Sequence, residues 1–223
     1  MAPCLGTVSR IVRKNNHTKV IVVVDNIIPH EKRVGDKLLS KFFVKSVDGF
    51  VCMSKQVFND LEILDSKVNK INSYHPIYDN FGKSITKQQS ITNLKLNGDY
   101  KHILFFGIIR KYKGLDLLIK AFSKLKHEKI RLIIAGEFYD NQDYYLDLIQ
   151  SLALDDSIIL KNEFIPDNMV VNYFCSCDIV AQPYKSATQS GVTQIAYHFE
   201  KPMLVTDVGG LAEIVKHDVS GYV

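Results

Sequence analysis

From residue 102 onward, short apolar runs and longer helix-patterned stretches follow one another without interruption, and few folds accept that order. Runs of strand length fall at 102–106, 131–135, 157–161, 178–182 and 203–206; helix-length stretches fall at 115–126, 143–153, 167–176, 191–199 and 211–216. An uninterrupted apolar run fits a strand covered on both faces, as a parallel sheet requires. Leu115, Leu118, Phe122 and Leu125 share one helical face, while Asp116, Lys120 and Lys124 take the other. The spacing predicts an α/β, doubly wound, Rossmann-like domain over residues 99–223.

A shorter version of the same order opens the chain. Val20 to Val24 reads as a strand buried on both faces. Asp36 to Val47 reads as an amphipathic helix with Leu38, Leu39, Phe42 and Phe43 inward. Gly49 to Met53 is a second strand, and Ser54 caps a helix reaching Leu61. Residues 1–19 read as a helix joined in mid-domain, and 1–75 is too short for a complete domain. Residues 76–98 carry little periodicity and read as a linker with weak helical potential in its middle. The chain closes at Val223 inside a strand or turn, so a fragment is expected.

Composition narrows the partners. The net charge of +4 (28 basic, 24 acidic residues) is too mild to argue for nucleic acid, though it suits an anionic substrate or membrane face. Cys4, Cys52, Cys175 and Cys177 form no Cys-x-x-Cys pair, which points away from zinc and disulfides and toward a reduced, cytoplasmic setting. No long apolar span and no signal-peptide pattern is present, so the expected protein is soluble or at most peripheral at the inner face of a membrane.

Two glycine turns stand out, each after a strand and before a helix, where helix N-termini and free backbone N–H groups converge on ligands. Gly107 to Gly114 carries Arg110 and Lys113, cations able to neutralise charge on a leaving diphosphate. The plainer alternative makes them surface residues of a loop, with Lys111 a third. In Thr206 to Glu213, Gly209 and Gly210 permit close approach of backbone to a ligand. Glu213 could accept from sugar hydroxyls or simply favour a helix N-terminus. Between them, Thr188, Gln189, Ser190, Gly191 and Gln194 combine hydroxyls, a glycine and a helix start; the alternative is an ordinary Ser190 cap. Upstream, Asp25, His30 and Glu31 could act on an acceptor, although a histidine beside a proline turn is often structural. No Asp-x-Asp spacing occurs, so no metal and no cofactor are expected, and loop cations would replace the metal clamp.

These strings, in order, resemble the retaining nucleotide-sugar glycosyltransferases of family 4, which have the GT-B fold. The resemblance runs from about Asp25 to Val223. It rests on Asp25-Asn-x-x-Pro-His-Glu31, Phe106-Gly-x-x-Arg-x-x-Lys-Gly114, Leu132-Ile-Ile-Ala-Gly136, Asp178-Ile-Val-x-x-Pro183 and Lys201-Pro-x-x-x-Thr-Asp-Val-Gly-Gly210. The chain looks like a bacterial member building cell-surface polysaccharide or lipid-linked sugars. The resemblance implies two Rossmann-like domains, the first presenting a glycan or lipid-linked acceptor and the second holding a nucleoside-diphosphate sugar. It places Arg110 and Lys113 on the diphosphate beside Gly107, and Glu163, Phe164 and Ile165 near the nucleobase. Residues 188–194 would meet phosphate, ribose and the transferred sugar. Two departures stand out. Family members often carry Glu-x7-Glu, where this chain has Ala187 or Thr188 and then Ile195, leaving Gln189 and Gln194 as neutral substitutes. Many also carry Arg where this chain has Ile108, with Arg110 in its stead. The second departure is length: the resemblance implies that the first elements of the N-terminal domain and the last elements of the C-terminal one are missing, so the chain as given is expected to be inactive. The alternatives are a non-catalytic nucleotide-sugar-binding protein or partner subunit, and a GT-B-fold nucleotide-sugar epimerase.

Overall fold

Apolar strands here can satisfy their backbone only by pairing with one another, and they do so in two separate parallel sheets. The computed structural model describes residues 2–15, 17–29, 34–125 and 128–223. Residues up to His75, with Ala187–Gln189, form one compact unit; Pro76–Ser186 and Ser190–Val223 form a second.

The first unit runs α1 (Ala2–Val12), β1 (Ile21–Val24), α2 (Asp36–Val44), β2 (Gly49–Cys52), α3 (Lys55–Leu64) and β3 (Lys70–Asn72), with sheet order β1-β2-β3. Ser54 caps α3 as expected, accepting from Val57 N at 3.3 Å. Phe43, Val44, Phe50, Cys52, Val57 and Leu61 build its core. Two expectations fail. Leu38 is 75 % exposed and Leu39 is also exposed, because α2 turns Ser40, Phe43 and Val44 inward, with Ser40 Oγ donating to Ile27 O at 3.1 Å. In β1, Ile21 and Val23 are each 60 % exposed. The helices that cover this small sheet lie over the other face, where Val24 is buried, so β1 is covered on one side rather than two. Helix α1 packs on α2, where Gly6 meets the Phe42 ring and the Arg10 guanidinium lies 4.0 Å from that ring's centroid.

The second unit contains α4 (Lys87–Leu94), β4 (Lys101–Phe106), α5 (Leu115–Phe122), β5 (Ile130–Ala135), α6 (Gln142–Ser151), β6 (Ile158–Lys161), α7 (Asp167–Ser176), β7 (Ile179–Gln182), α8 (Gly191–His198), β8 (Met203–Val205), α9 (Gly210–Ile214) and β9 (Gly221–Tyr222). All pairings are parallel, in the order β6-β5-β4-β7-β8-β9. Numbered within the sheet this is 3-2-1-4-5-6, the doubly wound arrangement, and its order reverses between β4 and β7. Phe105, Leu132 and Ile134 face a core with Leu115, Ile119, Phe122, Tyr145 and Ile149. On the other face Phe106 meets Phe174 edge-on at 5.0 Å, and Phe174 meets Phe199 at 5.7 Å.

Residues 76–98, read from sequence as a linker, cluster with the second unit. Thr86 and Gln89 form a reciprocal capping box at the start of α4. Asn93 Nδ2 donates to Asn172 Oδ1 on α7 at 2.8 Å, and Lys87 pairs with Asp178 at 2.7 Å. Asp116, read as outward-facing, is buried against Lys185, whereas Leu125, read as inward, is exposed.

His102 on β4 is 0 % exposed, and neither ring nitrogen has a hydrogen-bond partner. Desolvation, aided by the charge of Lys87, depresses its pKa below the usual 6.5, despite the opposing carboxylate of Asp178. The unfolded chain therefore binds the proton more tightly, and this group's contribution to stability is complete above pH 6.5 and is lost as pH falls below it. Urea midpoints measured between about pH 7.5 and 5.5 should fall less for His102→Leu than for the wild type; equal declines would show that His102 contributes none of the acid sensitivity.

Candidate functional site

Loops that leave the C-terminal ends of parallel strands share one end of the sheet, and the reversal of strand order opens a crevice there. In the second unit the reversal brings the loop after β4 beside the loop after β7. Both are held by backbone approaches that admit no side chain. Gly107 (φ 90°) turns the chain out of β4, and its N–H donates to Ala135 O at 2.9 Å. A Cβ on Gly136 would collide with the Gly107 carbonyl, and one on Gly114 (φ 68°) with the Pro183 carbonyl. Ile109 N donates to Glu137 O at 2.7 Å, and Tyr139 N returns a bond to Ile109 O at 2.9 Å. The loop after β4 is thus stitched to the segment after β5 and pressed against the end of β7.

Lys113 ends a 3-10 turn (Lys111–Lys113) within this loop. Its Nζ lies 3.4 Å from where a Cβ of Gly107 would stand, and Val192 Cγ2, in the first turn of α8, lies 3.6 Å from the same point. Among the described residues no carboxylate pairs with Lys113; the nearest organised partner is the ring of Tyr184, 5.7 Å from Nζ to its centroid. Burial first, and the charge of Arg110 second, push the Lys113 pKa down to about 8. The Arg110 guanidinium lies 5.3 Å from the centroid of Tyr139. An anion at Lys113 would relieve both the burial of its ammonium and the opposing charge of Arg110.

Ser190 precedes α8 but does not cap it. Its Oγ lies 3.2 Å from the Tyr184 hydroxyl, and Thr193 N donates instead to the Ser190 carbonyl at 3.1 Å. The ordinary-cap alternative for Ser190 is therefore not what the structure contains. Gly191 sits beside the ring of Tyr78, which a Cβ would approach to 2.9 Å. Gln194 is buried on α8. Ile195, at one of the positions where a carboxylate was sought, is buried, as is Ala187. Thr188 is buried and Gln189 half-buried, and both cluster with the first unit rather than with Ser190 and Gly191.

The other sequence candidates divide as follows. Gly209 (φ 48°, ψ −132°) and Gly210 lead into α9, with Glu213 exposed in its first turn. Glu163 and Phe164 are exposed and Ile165 buried in the loop after β6, the edge strand. That loop is tied to the start of α6 by Asn162 Nδ2 donating to Gln142 Oε1 at 2.6 Å. The structure thus brings Gly107, Arg110, Lys113, Ser190, Gly191, Gly209 and Gly210 to one end of one sheet. His30, like Glu31, lies outside the described residues. Among the described residues no cluster of three or more His, Cys, Asp or Glu side chains could hold a metal ion, and no helix is long and apolar enough to cross a membrane.

Sequence reasoning missed Tyr184, the Asp116–Lys185 pair (2.7 Å) and a cavity of about 400 Å³ beside that pair, lined by Tyr144, Tyr145, Asp140 and Lys111. The signal for Tyr184 was its place directly after a buried strand at Pro183. Gly114→Ala, forced into a left-handed conformation and against the Pro183 carbonyl, should cost roughly 2–4 kcal/mol of stability in urea unfolding; a loss below about 0.5 kcal/mol would mean the two loops separate freely.

The sequence profile of the family described as "Glycosyl transferases group 1" matches residues 86–223. An uncharacterized glycosyltransferase of Methanocaldococcus jannaschii is 33% identical over 130 residues, 58% of this chain and 33% of that protein. A putative glycosyltransferase of Bacillus subtilis is 32% identical over 163 residues, 69% of this chain and 39% of that protein. The chain therefore spans about a third to two fifths of the length of these relatives. Among solved structures, HepE of Anabaena, in complex with UDP, superposes with a TM-score of 0.85 at 17% identity, covering 100% of this chain and 62% of that one. Sucrose-phosphate synthase of Thermosynechococcus elongatus gives 0.83 at 16%, covering 97% and 57%. At such identities the likeness is one of fold, and it assigns the α/β, GT-B type.

Proposed function

This chain belongs to the group 1 glycosyl transferases, and from that premise we propose that it carries the donor-binding half of a retaining, family 4 enzyme that transfers a hexosyl unit from a nucleoside-diphosphate sugar. The observation that carries the reading is Lys113: a half-buried ammonium without a carboxylate partner among the described residues, set beside Gly107 and the first turn of α8. A departing diphosphate supplies the missing negative charge, and a low-dielectric setting makes that contact strong. Arg110 adds a second positive charge nearby, and the N–H groups of Gly191 and Val192 at the start of α8 offer dipolar support.

In this reading the bond from the anomeric carbon to the diphosphate oxygen breaks as an acceptor hydroxyl oxygen bonds to the same carbon from the same face. The acceptor proton leaves on a phosphate oxygen, so no enzyme nucleophile is required. The cations carry the charge that a metal would otherwise neutralise, which makes the reaction metal-independent. The acceptor is a glycan or a lipid-linked sugar, reached at the inner face of a bacterial membrane. UDP in the HepE structure supports a nucleoside diphosphate as the class of ligand.

Lys113→Ala in the full-length protein should lower kcat/KM by roughly 100-fold, about 3 kcal/mol; unchanged turnover removes Lys113 from the site. A bound diphosphate favours the protonated ammonium, so affinity is complete below the free-site pKa of about 8 and declines above it. Calorimetric titration with UDP, GDP and ADP from about pH 7 to 9.5 should show this decline, by up to about tenfold per unit, and Lys113→Ala should abolish it.

One observation favours a second reading. The positions at which carboxylates were sought are occupied by Ala187 or Thr188 and by Ile195, all buried and uncharged, so the grip on the sugar lacks formal charge. A non-catalytic nucleotide-sugar-binding subunit fits that substitution. Nucleotide binding without transfer or hydrolysis by the full-length protein, over a broad panel of donors and acceptors, would select it.

A further inference from the structure

A serine at the start of a helix ordinarily turns its hydroxyl onto a backbone N–H of the first turn. Ser190 does not, and the reason is one residue. Tyr184, buried directly after β7, places its hydroxyl 3.2 Å from Ser190 Oγ. The rest of Tyr184 is fixed from three sides. Its carbonyl accepts from Thr206 Oγ1 in the loop after β8. Its ring meets Tyr112 edge-on at 6.1 Å, and the next residue's N–H donates to Tyr112 O at 2.7 Å in the loop after β4. Lys185 then anchors the segment to α5 through Asp116 at 2.7 Å. Burial holds the phenol in its neutral form, so its hydroxyl stays available as a partner for Ser190.

The helix start that Ser190 leaves uncapped adjoins the Lys113 ammonium, since Nζ and Val192 Cγ2 both flank Gly107. We propose that Tyr184 is a positioning residue: by engaging the Ser190 hydroxyl it keeps the N–H groups of Gly191 and Val192, the first two of α8, open to an anionic ligand beside Lys113. The ligand class is a nucleoside diphosphate, and in this respect the inference rests on the function proposed above. Without the phenol hydroxyl, Ser190 is free to rotate onto α8 and compete with the anion for the same donors.

The experiment is a thermodynamic cycle on this chain, read as affinity for UDP, with GDP and ADP in parallel, by calorimetry at pH 7. Tyr184→Phe should weaken the best-bound diphosphate about fivefold while Ser190 is present, the size of a typical capping bond. In a Ser190→Ala background the same substitution should change affinity by less than about 1.5-fold, because no hydroxyl remains to compete. A merely structural role for Tyr184 predicts the same loss in both backgrounds, and that result overturns the proposal, as does an unchanged affinity in Tyr184→Phe. Should thermal melting show that Tyr184→Phe does not fold, Ser190→Asn, a stronger cap than alanine, should bind more weakly than Ser190→Ala; the reverse order overturns the proposal. Lys113→Ala separates the two readings. If it weakens binding while Tyr184→Phe does not, only the role of Tyr184 fails. If it has no effect, or if the wild type binds none of the three nucleotides, the donor site fails and this inference with it.

Discussion

The close passage of backbone against backbone at the end of β4 is the constraint on which the second unit's site depends. Gly114 lies against the Pro183 carbonyl and Gly136 against the Gly107 carbonyl, with no room for a Cβ at either place. Those approaches bring the loop after β4 into contact with the ends of both neighbouring strands. With the loop so placed, Lys113 at the end of its 3-10 turn comes to lie beside the first turn of α8. The sheet order makes the approach available, because β4 and β7 are neighbours whose following helices lie on opposite faces.

Burial of charge does the rest. Lys113 keeps a depressed pKa because burial strips its ammonium of water and the charge of Arg110 opposes it, with no carboxylate among the described residues to compensate. The contrast with Lys185 is instructive. It lies one residue past Tyr184 and has Asp116 at 2.7 Å, so its charge is spent on holding the loop. The two lysines thus differ: the charge of one is spent on an ion pair within the fold, and the other has no carboxylate partner among the described residues. Lys87, paired with Asp178 at the other end of β7, belongs with the first kind.

Periodicity made most of the second unit legible. The strands and helices expected from 102 to 216 appear within a few residues of their observed ends, because each is covered on both faces or shows a clear apolar stripe. The first unit was less legible. Leu38, Leu39, Ile21 and Val23 are apolar and exposed, and a reading based on hydrophobicity alone assigned them inward. Helix α4 was seen only as weak potential within a linker, since its anchors are polar: the Thr86–Gln89 box, Asn93 on Asn172 and Lys87 on Asp178. Hydropathy patterns do not register such contacts.

For the site, sequence alone determined the candidate residue types and their order: glycine turns after buried strands, with cations in one and hydroxyls near another. Those features are local, set by backbone freedom at glycine and by the position of a loop relative to its strand. Tertiary structure decided which of them act together. It set Lys113 beside α8, moved the Ser190 hydroxyl from its cap to Tyr184, buried Asp116 under Lys185, and grouped Thr188 and Gln189 with the other unit. Each of these depends on distances between residues far apart in the chain, and a side chain's partner is chosen by packing and desolvation, which no string of residues states.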